Sequence, residues 1–188
     1  MAPSYPSTEA NIAGRSTGAP AILYMMYQYI LDLLPYKSSF RFVDEISLLD
    51  EDRVIGHYTL KEDAFFYEDH FPGYPVTPGA ILTEIMAQIG LVVLGIYLVV
   101  GPAPANAPAA TAGDSSNRIF PLFTSVEVSF NQMVLPGQKI TVISQKEYFR
   151  FGKLKCRVEM QDAAGNRIAK GVFAGIIKTI SKLKTRVE

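Results

Sequence analysis

The alternation of apolar and polar residues changes its period several times along the chain. Apolar residues recur at helical spacing in ILYMMYQYILDLLPYK, which predicts a helix near residues 21–34 that ends at Pro35. The next two segments, SFRFVDEISLL and DRVIGHYTLK, alternate at every second residue on either side of an acidic turn at residues 50–52. This alternation predicts two strands of an antiparallel hairpin.

A long apolar segment runs from Gly79 to Val100, and Glu84 is its only charged residue. We expect one helix of about 22 residues, roughly 33 Å long at a rise of about 1.5 Å per residue. Its length approaches the ~20 residues that span a bilayer. However, its uninterrupted apolar part, residues 89–100, has only 12 residues and no flanking Lys or Arg. We therefore predict a buried core helix and no membrane span.

Four further segments beyond this helix have the alternation of strands. They are RIFPLFTSVEVSF, QKITVISQKEYF, KLKCRVEMQD and RIAKGVFAGIIKT, and the short turns LPGQ, RFGK and AAGN separate them. The order is helix, two strands, one long apolar helix and four strands. This order predicts an α+β fold in which a curled antiparallel β-sheet wraps around one long central helix.

Three regions lack the periodicity of a helix or strand. Residues 1–19 are expected to form a flexible N-terminal arm, residues 101–117 a Pro- and Ala-rich loop, and residues 181–188 a basic C-terminal tail. Residues 20–180 are then expected to form a single domain, because a chain of 188 residues is long enough for one good core and short for two.

Charge and cysteine content exclude several classes of function. The 18 Lys and Arg residues balance 18 Asp and Glu residues, so the chain lacks the broad positive charge of nucleic-acid-binding proteins. The single cysteine, Cys156, can form no intrachain disulfide and can build no zinc site from cysteine ligands. We expect no nucleic-acid partner, no metal site, no cofactor and a cytoplasmic location.

The residues best suited to chemistry lie in EDHFPGYPVTPGAILTEIMAQ, residues 68–88. Prolines at 72, 75 and 78 stiffen the loop that carries His70. Glu84 has no Lys or Arg on its helix to neutralise it, so it should have a raised pKa, find a partner or face a cavity. The unpaired amides at Gly79 can stabilise charge on a carbonyl oxygen. Together these groups suit proton removal beside a carbonyl with loss of a β-oxygen.

The same segment resembles a known family. HFPGYPVTPGAILTEIMAQ is similar to the signature of the hot-dog fold (3R)-hydroxyacyl-[acyl-carrier-protein] dehydratases of the FabZ type, which reads HFPGxPVMPG before a catalytic glutamate and AQ. ILDLLPYKSSFRFVDEI and SFNQMVLPGQKI resemble two other segments of that family. The resemblance covers about residues 29–178 and implies a hot-dog fold.

The resemblance also implies a role for each matching residue. His70 is expected to abstract the α-proton of a 3-hydroxyacyl thioester, Glu84 to protonate the departing β-hydroxyl, and the Gly79 amide to bind the thioester oxygen. The product is the trans-2-enoyl thioester. Further residues are expected to contact the substrate: Phe71, Val76, Pro78, Ile81, Ile85, Gln88 and the strand at 126–133.

The resemblance implies partners as well. The acyl chain is expected on the 4'-phosphopantetheine arm of an acyl carrier protein. In this family the histidine and the glutamate of one site come from different subunits, so we expect a homodimer with shared active sites, either as such or as a trimer of dimers.

Some positions depart from the family pattern. Tyr36-Lys37 stands where His-Arg is usual, and Thr77 replaces a common Met. Asn131-Gln132 replaces a basic pair, which reduces positive charge near the expected carrier surface. The pathway is therefore expected to be fatty-acid or polyene and polyketide biosynthesis. Two alternatives stay open here: a hot-dog acyl thioesterase that uses a helix carboxylate with water, and a non-catalytic acyl-binding or partner subunit.

Overall fold

The structure of the chain, a computed structural model, describes residues 27–102 and 117–181. The predicted N-terminal arm at 1–19 lies outside the described residues, as do most of the loop at 101–117 and nearly all of the C-terminal tail. The division into arm, domain and tail therefore stays a prediction.

All six strands in the described part of the chain join one antiparallel sheet. Their order across the sheet is β1-β2-β4-β5-β6-β3. The strands are β1 (Glu45–Leu49), β2 (Arg53–Thr59), β3 (Asn117–Phe130), β4 (Lys139–Arg150), β5 (Lys153–Gln161) and β6 (Arg167–Ser181). The predicted hairpin and the four later strands are confirmed.

The first strand begins later than the alternation predicts. The segment SFRFVDEISLL starts at residue 39, but β1 starts at Glu45. The Phe40 carbonyl and the Phe42 N–H form hydrogen bonds with the side chain of Gln88 on the central helix. These groups are therefore not paired with a neighbouring strand.

The long helix α2 runs from Gly79 to Val100, as predicted. It is α-helical over Gly79–Ala87 and Leu94–Val100, and the six residues Gln88–Val93 between them are π-helical. By length and composition it could cross a membrane, but 67% of its most apolar window is buried in the fold. It is thus the central core helix. Of the helix predicted at 21–34, the described residues 27–32 are helical and form α1.

Small side chains let α2 lie close to the sheet. A Cβ at Gly90 would be 2.8 Å from Val158 of β5, and a Cβ at Gly95 would be 2.6 Å from Ile177 of β6. The buried Ser144 hydroxyl of β4 donates a 2.7 Å hydrogen bond to the Gly90 carbonyl. The π-helical segment therefore packs against the middle of the sheet and is hydrogen-bonded to it. These contacts fix the position of the preceding helical turns.

The two edges of the sheet differ in length and exposure. β1 has 5 residues, whereas β3 has 14. The apolar side chains of β3 that are about half exposed are Leu122, Phe123, Val126 and Phe130. Soluble proteins normally cover or interrupt such a long apolar edge. β3 therefore offers a surface to which another strand can add.

Candidate active site

His70 lies in the loop between a 3-10 turn (Phe65–Tyr67) and α2. Its Nδ1 is 2.9 Å from the carbonyl oxygen of Val76. A carbonyl oxygen can only accept a hydrogen bond, so Nδ1 carries the proton and Nε2 keeps the lone pair. The loop thus holds the imidazole in the tautomer that a general base needs.

Main-chain hydrogen bonds give the His70 loop its shape. The His70 N–H donates to the Phe66 carbonyl at 3.1 Å, and the Val76 N–H donates to the His70 carbonyl at 3.0 Å. Phe71 and Tyr74 exchange two further bonds of 3.2 and 2.9 Å. The loop is therefore closed by backbone contacts on both sides of the histidine, in addition to the stiffness that its prolines provide.

Thr77 anchors the end of this loop. Its hydroxyl lies 2.6 Å from the Tyr67 hydroxyl in a buried contact, and its N–H donates to the Val134 carbonyl at 2.8 Å. Burial raises the pKa of Tyr67, so the phenol stays neutral and can share this hydrogen bond. A methionine, which is common in the family at this position, has no hydroxyl to pair with Tyr67.

Glu84 lies on the second turn of α2 and is partly buried. Burial raises the pKa of its carboxyl, and a hydrogen bond from Gln88 acts in the opposite direction. The upward shift is caused by desolvation of the charged form. The carboxyl therefore keeps its proton to higher pH than an exposed glutamate, as a general acid requires.

Gln88 is fully buried one turn after Glu84. Its Nε2 donates to Glu84 Oε1 at 2.8 Å and to the Phe40 carbonyl at 2.9 Å. Its Oε1 accepts a 2.8 Å hydrogen bond from the Phe42 N–H. Both amide hydrogens and the amide oxygen are thus engaged inside the protein. The prediction that Gln88 contacts substrate is corrected accordingly, because Gln88 positions the Glu84 carboxyl instead.

A cavity of about 190 Å³ opens beside Glu84. It is formed by α2, β3, β6 and the segment after α1, and we call it the Glu84 cavity. Its lining residues are Tyr36, Glu84, Leu91, Val92, Pro121, Leu122, Phe123, Gly175 and Ile177. Apart from the carboxyl of Glu84 and the hydroxyl of Tyr36, these side chains are apolar. The cavity suits an apolar chain that carries a polar group at one end.

Two of the predicted acyl-chain contacts lie apart from the Glu84 cavity, so their contact with substrate stays a prediction. Ile85 is fully buried in the core, and the strand residues 126–133 do not line the Glu84 cavity. A Cβ at Gly79 would be 3.3 Å from the Phe130 ring, while a Cβ at Gly175 would lie near both Leu91 and Leu122. α2 therefore runs antiparallel to β3, so a cavity that extends from Glu84 toward Leu91 meets the earlier part of β3.

His70 is not among the residues that line the Glu84 cavity. The His70 imidazole and the Glu84 cavity are therefore two regions of the chain. The remaining predicted contacts lie on the His70 side or at the start of α2. Phe71 stacks on His70 with ring centroids 4.1 Å apart and is 56% exposed. The side chain of Val76 is buried, and its carbonyl holds His70.

The start of α2 supplies backbone donors near the His70 loop. The Pro78 carbonyl accepts hydrogen bonds from the N–H groups of Ile81 and Leu82, at 2.9 and 3.1 Å. The amide of Gly79, the first residue of the helix, precedes these paired groups and belongs to the turn whose N–H groups lack helical partners. Ile81 is partly buried against the core. Substrate contacts by Phe71, Val76, Pro78, Gly79 and Ile81 stay predictions.

The FabA-like domain matches residues 34–164. This chain belongs to the FabA-like family. The matched FabA-like region includes Tyr36, His70 and Glu84, and it ends before Gly175 and Ile177, the β6 residues of the Glu84 cavity.

A curated relative of this FabA-like chain is similar over nearly its whole length. It is the 3-hydroxyacyl-[acyl-carrier-protein] dehydratase FabZ of Petrotoga mobilis, which is 30% identical over 155 residues. The matched residues cover 79% of this chain and 98% of the relative. The resemblance found in the signature segment therefore extends over a nearly whole FabZ protein.

Solved structures similar to this FabA-like chain share its fold. The dehydratase heterocomplex ApeI:P from Xenorhabdus doucetiae has a TM-score of 0.59 and 12% identity, covering 83% of this chain and 92% of that one. A hypothetical thioesterase with coenzyme A from Streptococcus pneumoniae has a TM-score of 0.51 and 12% identity, covering 71% and 84%. These similarities confirm the predicted hot-dog fold and, at such identities, nothing finer.

Tyr36 is not among the site residues predicted from the sequence. It stands in LLPYK, where a histidine is usual in the family that the segment resembles. The position of Tyr36 beside Glu84 depends on a tertiary contact between the segment after α1 and the second turn of α2. The departure from the family pattern was the one signal in the sequence that could have drawn attention to it.

Proposed function

We infer that this protein is a 3-hydroxyacyl-[acyl-carrier-protein] dehydratase, a hydro-lyase that removes water from a 3-hydroxyacyl thioester. Membership of the FabA-like family and the similarity to the Petrotoga mobilis FabZ support this function. The observation that carries it is the presence of two complementary groups. His70 keeps a lone pair on Nε2, and the Glu84 carboxyl has a raised pKa. A hydrolase that uses one helix carboxylate has no evident need for the histidine.

In the proposed reaction, His70 Nε2 takes the proton from the carbon next to the thioester carbonyl. Negative charge develops on the carbonyl oxygen, where the Gly79 amide donates a hydrogen bond. The bond from the β-carbon to oxygen then breaks as Glu84 transfers its proton to the departing hydroxyl, which leaves as water. The products are the trans-2-enoyl thioester, protonated His70 and ionised Glu84. Proton exchange with solvent restores the starting protonation of both residues.

We propose that each active site is shared between two copies of the chain. The start of α2, which follows the His70 loop, lies beside Phe130 at one end of β3, whereas Pro121, Leu122 and Phe123 border the Glu84 cavity nearer its other end. Antiparallel pairing of two β3 strands about a twofold axis brings opposite ends of the strand together. The His70 loop of one copy then lies against the Glu84 cavity of the other copy.

The exposed edge of the sheet supports this pairing. β3 carries the half-exposed residues Leu122, Phe123, Val126 and Phe130, and its edge position leaves main-chain groups available along 14 residues. Pairing with a second β3 would satisfy those groups and bury the apolar side chains. The homodimer is therefore the proposed functional unit, and its association into a trimer of dimers stays a prediction.

The proposed substrate is an acyl chain attached to the 4'-phosphopantetheine arm of an acyl carrier protein in the cytoplasm. The apolar lining of the Glu84 cavity suits the hydrocarbon part of such a chain, and its polar end suits the β-hydroxyl. The pathway we propose is fatty-acid biosynthesis or a polyene or polyketide pathway that builds its chains in the same way.

Mass spectrometry of the carrier-bound product tests this function. Acyl carrier protein loaded with 3-hydroxyacyl groups of several chain lengths is incubated with the protein and with its His70→Ala variant. We expect the wild-type protein to convert the carrier to a species lighter by one water, and the variant to leave it unchanged. Release of free acid and unloaded carrier would instead indicate a thioesterase.

A further inference from the structure

The Glu84 cavity contains a second polar side chain that the proposed reaction does not yet use. Tyr36 and Glu84 are the two residues with polar side chains among those that line it. Burial raises the pKa of Tyr36, and the nearby Glu84 carboxylate raises it further. The phenol is therefore neutral and keeps its hydrogen at any physiological pH. Both residues line the same cavity.

The position of Tyr36 is fixed by its neighbours in the fold. It follows Pro35 directly after the α1 segment, its ring packs against the core, and its centroid is 6.1 Å from that of Phe40. The Phe40 carbonyl in turn accepts a hydrogen bond from Gln88, the residue that positions Glu84. Phe40 therefore contacts both the ring of Tyr36 and the side-chain amide of Gln88, which holds Glu84.

The hydroxyl of Tyr36 is available to a ligand. Within residues 27–102 and 117–181, no hydrogen bond joins it to another group of the protein. The buried hydroxyls of Tyr67 and Ser144, by contrast, each have a protein partner within 2.7 Å. Polar groups near the interior of a protein are normally hydrogen-bonded, so a donor at the wall of a cavity is suited to a polar group on the ligand.

We propose that Tyr36 donates a hydrogen bond to the β-hydroxyl oxygen of the substrate and so selects 3-hydroxyacyl chains over saturated ones, an assignment that rests on the proposed dehydratase function. The oxygen of a hydroxyl has two lone pairs. One receives the proton of Glu84 during the reaction, and the other accepts the hydrogen bond from Tyr36. The same contact holds the departing water after the bond to carbon has broken.

This role makes Tyr36 a specificity residue. A site that binds a substrate hydroxyl rejects analogues that lack it, because its polar groups are then left without a partner. A saturated acyl chain would place a methylene against both Tyr36 and Glu84. The 3-hydroxyacyl chain is therefore expected to bind more tightly than the saturated acyl chain of the same length.

Binding measurements on Tyr36→Phe test the proposal. The probes are 3-hydroxyhexanoyl-pantetheine and hexanoyl-pantetheine, and all proteins carry His70→Ala so that the hydroxyacyl probe is not consumed. With Tyr36 present, the hydroxyacyl probe should bind about five- to tenfold more tightly, as expected for one hydrogen bond. Tyr36→Phe keeps the ring and should abolish most of this preference while leaving hexanoyl-pantetheine binding unchanged.

Tyr29→Phe is the matched control. The Tyr29 hydroxyl donates to the Gly101 carbonyl at 3.0 Å and does not line the Glu84 cavity, so its loss should leave the preference intact. An unchanged preference in Tyr36→Phe, or no preference in the His70→Ala parent, would overturn the assignment. The carrier-based dehydration assay separates the two hypotheses. If the wild-type protein fails to dehydrate but Tyr36→Phe abolishes the preference, the proposed reaction is wrong and Tyr36 is still the hydroxyl-binding residue.

Discussion

The His70 loop and the Glu84 cavity hold their proposed catalytic groups by different physical means. His70 is positioned by the backbone, since its Nδ1–H donates a hydrogen bond to the Val76 carbonyl and the lone pair is left on Nε2. Glu84 is positioned by a side chain, since Gln88 donates to its Oε1 and burial raises the pKa of the carboxyl. The tautomer of His70 thus suits the proposed base, and desolvation of Glu84 suits the proposed acid. Substitutions near His70 and near Glu84 should therefore differ in their effects on the pH–rate profile.

Removing either catalytic group should have the largest effect. His70→Ala deletes the base and Glu84→Gln deletes the acid while keeping a similar shape. Each is expected to lower kcat for dehydration by about 10² to 10⁴-fold, because general acid and general base catalysis each contribute about that much. Circular dichroism and thermal melting should show an intact fold. Wild-type-like turnover by either variant would contradict the role assigned to that residue.

The surroundings of Glu84 can be disturbed without changing Glu84 itself. Gln88→Leu removes three hydrogen bonds and leaves the partly buried carbonyl of Phe40 and the buried N–H of Phe42 without partners. We expect a loss of about 2–4 kcal/mol in the free energy of unfolding, measured in urea. The pKa of Glu84 should rise further, since the bond from Gln88 lowers it. The limb of the pH–rate profile that reports ionisation of this acid should therefore move to higher pH.

A surface glutamine serves as the control for this variant. Gln145 is exposed on β4, and Gln145→Leu should change the free energy of unfolding by less than about 0.5 kcal/mol and leave the pH profile unmoved. Equal stability of Gln88→Leu and Gln145→Leu would contradict the positioning role of Gln88.

A substitution near His70 should also lower the free energy of unfolding but should leave the acid limb of the pH–rate profile in place. Thr77→Val keeps the shape of the side chain but leaves the buried Tyr67 hydroxyl without its partner at 2.6 Å. We expect a loss of about 1–3 kcal/mol in the free energy of unfolding. Because Thr77 does not contact Glu84, the acid limb of the pH–rate profile should stay in place. A shift of that limb equal to the shift in Gln88→Leu would remove the distinction between the two regions.

The smallest effect is on how stability depends on pH. The folded pKa of Glu84 is raised, so the folded protein keeps this proton after the unfolded chain has lost it. The free energy of unfolding should therefore fall as pH rises from the ordinary glutamate pKa, about 4.3, toward the raised value. Glu84→Gln has no ionisable group at this position, so its free energy of unfolding should fall less over that pH range. Urea titrations of both proteins from about pH 4 to pH 8 measure the difference; identical pH dependence would contradict the raised pKa.

Local patterns predicted most of the fold and drew attention to His70 and Glu84, whose catalytic roles stay proposals. The apolar run from Gly79 to Val100 and the later alternating segments depend on residues close in sequence, and the segment around His70 and Glu84 carries a recognisable motif. The start of β1, the task of Gln88 and the contact of Tyr36 with the Glu84 cavity could not be predicted in this way. All three depend on residues 36–42 packing against the middle of α2.

The claim that each site needs two copies is tested most directly by mixing the two inactive variants. His70→Ala retains an intact Glu84, and Glu84→Gln retains an intact His70. After subunit exchange, about half of the dimers are mixed and each mixed dimer has one complete site, so dehydration should recover to about a quarter of the wild-type rate. Differently tagged variants purified as mixed dimers provide the proof of exchange. No recovery in proven mixed dimers would contradict a site shared between subunits.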